Sequence, residues 1–296
     1  MFHGVMTALV TPFRDGHIDE EAFREHLDRQ IAAGVDAVVP AGTTGEAATL
    51  GFEEHKHLIG ITVEHVNGRI PVIAGTGSNN TAESIELTRA AKALGADAAL
   101  LISPYYTKPS QEGIYQHYRM VAESVHLPQI LYNVPGRTNS NITPDTVARL
   151  SRIPNIVGIK DATADMAQLS RTMQASNPEM AFYSGDDVTT LPFMAMGGSG
   201  VISVIANIAP EAMRNVVEAM QRGDLAEARR QHMAMLKIND AIFLQSNPIP
   251  VKAACAMMGW MGWEVRLPLT VLPQPERERL HQVMVDFGLT PEHIHP

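Results

Sequence analysis

The sequence is poor in cysteine, which limits the covalent links and metal sites that the chain can form. Cys255 is the only cysteine among the 296 residues, so no disulfide can form within the chain. The small disulfide-held folds that are typical of secreted proteins are therefore excluded. Zinc motifs built on cysteine pairs are excluded as well, and no His-Glu-x-x-His sequence is present. We therefore expect no metal site.

Basic residues are also scarce. The chain has 23 Lys and Arg residues against 32 Asp and Glu residues, which gives a formal net charge of -9. A surface that binds nucleic acid needs a basic excess, so we expect no nucleic-acid partner.

Long apolar runs are missing too. No stretch reaches the roughly eighteen apolar residues that a membrane-spanning helix needs, so no membrane partner is expected. The first residues, MFHGVMTALVTPFRDG, lack the basic segment of a signal peptide. Together with the lack of disulfides, these features predict a cytoplasmic protein.

What the sequence does contain is a regular alternation of short apolar runs and amphipathic segments. The apolar runs are near-continuous, as in strands covered on both faces, and they end at or near Gly, Pro, Asn, Asp or Ser, which mark loops. They span residues 4–12, 36–42, 70–77, 97–106, 128–135, 155–161, 181–186 and 200–207. Helical patterns follow at 19–34, 52–66, 79–95, 111–125, 144–151, 164–175, 187–196 and 210–221. Eight strand–helix units with right-handed crossovers predict an α/β fold, the (β/α)₈ TIM barrel.

The residues after Gly223 show helical patterns only, at 224–245, 249–258 and 275–287. No Gly-Ser linker separates them from the preceding units. We therefore predict a barrel over residues 1–223 and a C-terminal helical region, 224–296, that packs on it.

Lys160 is the sharpest chemical signal in the chain. Of the six lysines, it alone lies in an apolar predicted strand, NIVGIKD. Adjacent strand residues point to opposite faces, so Asp161 should not pair with it. Burial lowers the pKa of a lysine and supplies the neutral amine that attacks a carbonyl group. This pattern favours a lysine that forms a Schiff base over a structural lysine.

The turn GTTGE at 42–46 follows the second predicted strand. Active sites of barrels form at this end of the strands. The exposed N–H groups of such a turn, together with the hydroxyls of Thr43 and Thr44, can hold a carboxylate. The turn is equally well explained as an ordinary strand–helix connection in which a threonine caps the next helix.

Two tyrosines and one arginine also fall at strand ends. Tyr106 and Tyr132 end neighbouring strands, where their hydroxyls can pass protons to and from an imine, or their rings can simply pack at the rim. Arg137 follows a Pro-Gly turn. Its planar guanidinium suits a substrate carboxylate, although a surface ion pair is the alternative.

Two features near the later strands have ordinary explanations. The segment GGSG at 197–200 is not a dinucleotide-binding fingerprint and is interpreted as a helix end before a strand. Asp186 and Asp187 are interpreted as helix caps.

These motifs together resemble the 4-hydroxy-tetrahydrodipicolinate synthase family, also called dihydrodipicolinate synthases. This family belongs to a superfamily with N-acetylneuraminate lyase and keto-deoxy sugar acid aldolases. The resemblance covers nearly the whole chain, through GTTGE at 42–46, IPVIAGTG at 70–77, SPYY at 103–106, LPQILYNVPGRT at 127–138, GIKDAT at 158–163, SGDD at 184–187, GVISV at 200–204 and NPIPVK at 247–252.

The resemblance implies specific roles for the catalytic residues. Lys160 matches the lysine that forms an imine with pyruvate. Thr43, Tyr106 and Tyr132 match a proton relay, and the family places the equivalent of Tyr106 across a subunit interface. No cofactor is implied, because the lysine itself supplies the electron sink.

The resemblance also implies substrate contacts and an assembly. The amides of Thr43 and Thr44 and the Thr44 hydroxyl would hold the pyruvate carboxylate, and Arg137 would bind L-aspartate 4-semialdehyde. The backbones of Gly185 and Ile202 would face the substrate. The implied assembly is a homotetramer of two tight dimers, and the implied pathway is that of lysine and diaminopimelate.

Two alternative functions remain possible, and the sequence departs from the family pattern at two positions. The chain could act on a keto-deoxy sugar acid or N-acetylneuraminate, or bind a 2-keto acid without turnover. In relatives that lysine inhibits, a serine and a histidine occupy the positions of Ala47 and Phe52. Since these replacements remove hydrogen-bonding partners, we expect inhibition by lysine to be weak or absent.

Overall fold

Eight parallel strands form the centre of the fold in the structure, a computed structural model that describes residues 2–295. These eight are β1 (Gly4–Ala8), β4 (Ala37–Val39), β5 (Ile73–Gly75), β6 (Ala98–Ile102), β7 (Gln129–Asn133), β8 (Ile156–Asp161), β9 (Ala181–Ser184) and β10 (Gly200–Ser203). Two further strands, β2 (Phe13–Arg14) and β3 (His17–Ile18), form a separate pair. The parallel sheet runs in the order β4-β1-β10-β9-β8-β7-β6-β5. A parallel bridge between Val38 and Val72 joins its two outer strands. The predicted barrel is confirmed, and the antiparallel pair β2–β3 was not predicted.

Helices connect the strands and cover the outside of the barrel. They are α1 (Glu20–Ala32), α2 (Phe52–Val66), α3 (Thr81–Leu94), α4 (Gln111–Ser124), α5 (Pro135–Thr138), α6 (Pro144–Leu150), α7 (Met166–Ala175), α8 (Thr190–Ala195), α9 (Pro210–Gln221), α10 (Leu225–Ala241), α11 (Ile249–Met257) and α12 (Gln274–Phe287). Short 3₁₀ helices lie at Ala47–Thr49, Asp187–Thr189 and Ile205–Asn207. Local signals set several boundaries: the Asp19 carboxylate accepts from the Ala22 N–H at the start of α1, and Gly95 ends α3 at a φ of 96°, which costs glycine little.

The alternation of side chains along each strand separates two cores. On β4, Val39 packs with residues of the barrel interior, whereas Val38 packs with Leu27 and Leu58 of the surrounding helices. Both faces are apolar because both are covered, which explains the near-continuous apolar runs of the sequence. The interior face is the one that meets the cavity at the carboxyl ends of the strands.

The C-terminal helices share one apolar cluster with the barrel. Met213 of α9, Met235 of α10, Cys255 of α11 and Met284 of α12 belong to the same buried group. Every residue of α11 is buried. The division of the chain at Gly223 into two regions stays a prediction.

A buried polar network joins α1 to the 3₁₀ helix at Ile205–Asn207, which follows the neighbouring strand β10. The Asn207 side chain accepts from the Val10 N–H at 3.1 Å and contacts His26 Nε2 at 3.0 Å. The Asn207 oxygen is therefore the acceptor and His26 Nε2 carries the hydrogen. His26 Nδ1 is buried and has no hydrogen-bond partner within residues 2–295. Burial lowers the pKa of His26 to about 4, because a charged imidazole would be desolvated and Nδ1–H would have no acceptor.

This environment predicts a pH dependence of stability. In the folded protein the pKa of His26 lies below its usual value of 6.5. The free energy of unfolding is therefore fully retained above pH 6.5 and decreases as the pH falls toward 4. The loss is about 1.4 kcal/mol per pH unit in that window. Denaturant unfolding should show this slope in the wild type and a shallower one in His26→Gln. The exposed His126→Gln is the control and should keep the wild-type pH dependence. Equal slopes in wild type and His26→Gln would contradict this account.

Candidate active site

Lys160 lies inside the barrel, near the carboxyl end of β8. Its register partners are Tyr132 on β7 and Tyr183 on β9, and partners in a parallel sheet point to the same face. The lysine is 5% exposed, and its Nζ lies 4.3 Å from the centre of the Tyr132 ring. A Cβ added at Gly185 would lie 3.0 Å from two carbons of the Lys160 side chain. Gly185 is therefore the residue that leaves space for the lysine.

Burial lowers the pKa of Lys160 to about 8, the nearby Asp187 carboxylate opposes this shift, and the Arg137 guanidinium adds to it. An ordinary lysine has a pKa near 10.4 and is almost entirely protonated at pH 7. With a pKa of about 8, about one Lys160 in ten is neutral at that pH. The environment therefore supplies the nucleophilic form of the amine.

Tyr132 and Thr43 meet beside the lysine. Burial raises the pKa of the Tyr132 hydroxyl, while the Arg137 charge and a hydrogen bond with the Thr43 side chain oppose that shift. Tyr132 is therefore protonated at neutral pH and can donate a proton. The structure thus brings three of the predicted catalytic residues together.

The fourth predicted catalytic residue, Tyr106, is not brought to Lys160. It follows β6, is 88% exposed and has a φ of 69°. A bulky residue at positive φ is strained and needs contacts that hold it. Tyr106 reaches away from the barrel of its own chain.

Thr44 and Arg137 are linked by a residue that sequence reasoning missed. The Asn247 side-chain amide donates to the Thr44 hydroxyl at 2.9 Å, and Arg137 Nη2 donates to the Asn247 carbonyl oxygen at 3.1 Å. The sequence signal that could have identified Asn247 was its position at the start of the NPIPVK motif at 247–252. Asn247 therefore fixes the relative position of the two predicted substrate-binding side chains.

Asp187 is a second residue whose position the sequence did not reveal. Its carboxylate accepts from the N–H groups of Val204 and Ile205 at 2.9 and 3.0 Å. It therefore caps the 3₁₀ helix at Ile205–Asn207 rather than the helix that follows it in sequence. This cap follows directly after β10, where Ile202 faces the barrel interior. Burial raises the pKa of Asp187, and its negative charge favours the protonated form of Lys160.

A cavity of about 460 Å³ opens beside this group. Thr43, Tyr132, Arg137 and Asn247 line one part of it. Its other part is lined by Ala47, Phe52, His55, Glu83 and Tyr105, of which Ala47 and Phe52 are the two positions that differ from lysine-inhibited relatives. The Phe52 ring faces the Lys56 ammonium at 4.3 Å, so this side chain offers an aromatic surface rather than a hydrogen bond.

Residues 2–295 contain neither a metal-binding cluster nor a membrane-spanning helix. There, no three His, Cys, Asp or Glu side chains lie close enough to hold a metal ion. Over the same part of the chain, no helix has the length and apolar character needed to cross a membrane.

Comparison with known proteins gives matches over the full chain. Residues 1–286 match the model of the dihydrodipicolinate synthetase family. The 4-hydroxy-tetrahydrodipicolinate synthase of Pelobacter propionicus is 53% identical over 289 residues, which are 98% of this chain and 100% of that protein.

Solved structures agree with these matches. The dihydrodipicolinate synthase of Aquifex aeolicus has a TM-score of 0.97 and 42% identity over 99% of this chain and 100% of its own. A chloride-inhibited dihydrodipicolinate synthase from Acinetobacter baumannii, complexed with pyruvate, has a TM-score of 0.96 and 48% identity over 98% of this chain and 100% of its own. The chain belongs to the dihydrodipicolinate synthetase family.

Proposed function

We propose that this chain is a 4-hydroxy-tetrahydrodipicolinate synthase, a lyase that condenses pyruvate with L-aspartate 4-semialdehyde. The observation that carries the proposal is Lys160, a buried lysine whose pKa is lowered to about 8, beside the Tyr132–Thr43 pair. Relatives of the same length, at 53% identity, have this name. These names favour the synthase over the alternative activities, on sugar acids or by binding alone.

In the proposed reaction the neutral Lys160 amine adds to the keto carbon of pyruvate. The former carbonyl oxygen leaves as water, and Tyr132 with Thr43 supplies and removes the protons that this step needs. The resulting imine is protonated and withdraws electrons, so the pyruvate methyl group loses a proton and an enamine forms. The enamine carbon then forms a bond to the aldehyde carbon of the second substrate, whose oxygen takes up a proton. The amino group of that substrate then adds to the imine carbon, and the Lys160 amine leaves as the ring closes. No cofactor is required, because the imine is the electron sink.

Substrate binding is assigned to the groups around the lysine. The N–H groups of Thr43 and Thr44 and the Thr44 hydroxyl would receive the pyruvate carboxylate, as anions are received by backbone nests. The N–H groups of Gly45 and Glu46 already donate to the carbonyls of Gly42 and Thr43. Arg137, held by the Asn247 carbonyl, would bind the carboxylate of the semialdehyde. The backbones of Gly185 and Ile202 would face the bound substrates.

The proposed assembly is a cytoplasmic homotetramer that acts in lysine and diaminopimelate biosynthesis. Large apolar and aromatic side chains that are exposed in the single chain support self-association. Tyr106 is 88% exposed, Leu267 79% and Met233 60%. Isolated exposed apolar residues are common, but an 88% exposed tyrosine with a positive φ is not.

The first prediction tests the lysine. Lys160→Ala should lower synthase turnover by about a thousandfold or more, because the nucleophile is lost. Turnover is followed as NADPH loss with the next reductase of the pathway as coupling enzyme. Borohydride should trap pyruvate on the wild type, and the trapping rate should rise with pH through about 8 as Lys160 becomes neutral.

The control for this experiment is Lys92→Ala, at an exposed position of α3, which should behave as the wild type does. Absence of turnover from folded wild-type protein would overturn the synthase assignment. If pyruvate were still trapped, cleavage of sugar acids would be tested next.

The second prediction tests the subunit origin of Tyr106. Tyr106→Phe and Lys160→Ala homomers should both be impaired, the first because the relay is broken and the second because the amine is lost. A mixed assembly would contain sites in which an intact Lys160 meets an intact Tyr106 from the partner. Unfolding and refolding the two variants together should therefore give activity above the sum of the separate proteins. Strict additivity would show that Tyr106 does not act across an interface.

The third prediction concerns feedback inhibition. L-lysine should inhibit only weakly, because Ala47 and Phe52 offer it no hydrogen bond in the cavity. Ala47→Ser combined with Phe52→His should increase sensitivity to lysine in a titration of initial rates. Sub-millimolar inhibition of the wild type would disprove this expectation.

A further inference from the structure

The strongest polar feature that the proposed mechanism does not use is a buried ion pair at the end of the 42–46 turn. Lys252 Nζ donates to Glu46 Oε1 at 2.6 Å, and the two side chains are 1% and 0% exposed. The other Glu46 oxygen accepts from the Arg266 N–H at 2.9 Å. Lys252 also donates to the Glu264 carbonyl at 2.7 Å. Each polar group of the pair is therefore satisfied, as burial of charge requires.

The backbone of Glu46 has a strained conformation, and the contacts of this residue maintain it. Its φ is 57°, in the left-handed region, which glycine or asparagine adopts more readily than glutamate. Such strain persists only where surrounding contacts fix it. The contacts here are those of the Glu46 carboxylate and the hydrogen bonds of its backbone, whose carbonyl accepts from the N–H and hydroxyl of Thr49.

The strained residue ends the turn that bears Thr43 and Thr44. The Glu46 N–H donates to the Thr43 carbonyl at 3.1 Å, so the position of Glu46 sets that of Thr43. The turn is also held where the Gly45 carbonyl accepts from the Thr11 hydroxyl at 2.7 Å. A displacement at Glu46 would therefore redirect the N–H groups of the turn.

One short segment of the C-terminal region holds the turn at two points. Asn247 donates to the Thr44 hydroxyl, and Lys252, one turn into α11, donates to Glu46. Since all of α11 is buried, it forms a fixed support. A buried ion pair adds little net stability compared with an apolar pair of the same size. What such a pair can supply is a fixed orientation of the turn relative to α11.

We propose that Glu46 and Lys252 are positioning residues for pyruvate, and that their ion pair holds the 42–46 turn in the geometry that receives the pyruvate carboxylate. This inference rests on the proposed role of that turn. The polar contacts of the pair go to Arg266 and Glu264 rather than to Lys160, so its loss should weaken pyruvate binding and leave the chemistry of the imine intact.

The test measures imine formation without the second substrate. Pyruvate is titrated against the protein, the imine is reduced with borohydride, and the adduct on Lys160 is quantified by intact mass. In Glu46→Gln the half-saturating pyruvate concentration should rise about tenfold, because misdirected hydrogen bonds to a charged group cost at least that factor. The adduct yield at saturating pyruvate should equal that of the wild type.

Steady-state kinetics supply a second readout. The KM for pyruvate should rise in Glu46→Gln, while kcat and the KM for the semialdehyde should change little. The matched control is Glu54→Gln, which removes a carboxylate that pairs with the Arg266 side chain but lies outside the turn. It should leave both pyruvate constants at the wild-type value.

The double variant Glu46→Gln/Lys252→Met separates positioning from folding. It leaves no unpaired buried charge, so its melting temperature should exceed that of Lys252→Met alone, and it provides the test if a single variant does not fold. If the pair positions the turn, pyruvate binding stays weak in this stable protein. Wild-type pyruvate binding in the folded double variant would overturn the inference, as would an equal loss in Glu54→Gln. Failure of the wild type itself to trap pyruvate would instead refute the proposed function.

Discussion

The desolvation of one ammonium group inside a closed parallel barrel is the constraint on which this structure depends. Lys160 is 5% exposed, and burial lowers its pKa to about 8. A lysine in an open sheet would be solvated, and one sealed in a core could not meet a substrate. The carboxyl end of a barrel strand meets both needs, because the interior is dry and the cavity is adjacent. Asp187 limits the shift, since its charge favours the ammonium form.

A neutral amine is useful only if its partners are held at the right distance, and tolerances in active sites are about half an ångström. The barrel itself fixes some of these distances, because the register of β7 and β8 places Tyr132 beside Lys160. The rest comes from outside the strands. Asn247 joins Thr44 to Arg137, so the C-terminal region belongs to the catalytic geometry as much as to the apolar core.

The parts of the fold that could be predicted are those with a local physical signal. Strands covered on both faces are apolar throughout, so all eight barrel strands could be found, although the run at 4–12 extends past the observed end of β1 at Ala8. The two-residue strands β2 and β3 are too short to show a period. Lys160 could be identified because a charged residue in an apolar strand breaks the local pattern, and such breaks are expected at functional sites.

The residues that escaped prediction depend on partners far away in sequence. Asn247 lies 203 residues from Thr44 and Lys252 lies 206 residues from Glu46. Periodicity indicates that α11 is buried, but not which polar group meets each of its side chains. Asp186 and Asp187 were predicted to cap the adjacent helix, but neither side chain does so. The Asp187 carboxylate instead accepts from N–H groups that begin 17 residues further on. Since these contacts close the fold and orient the candidate site at the same time, we expect stability and substrate binding to depend on the same residues.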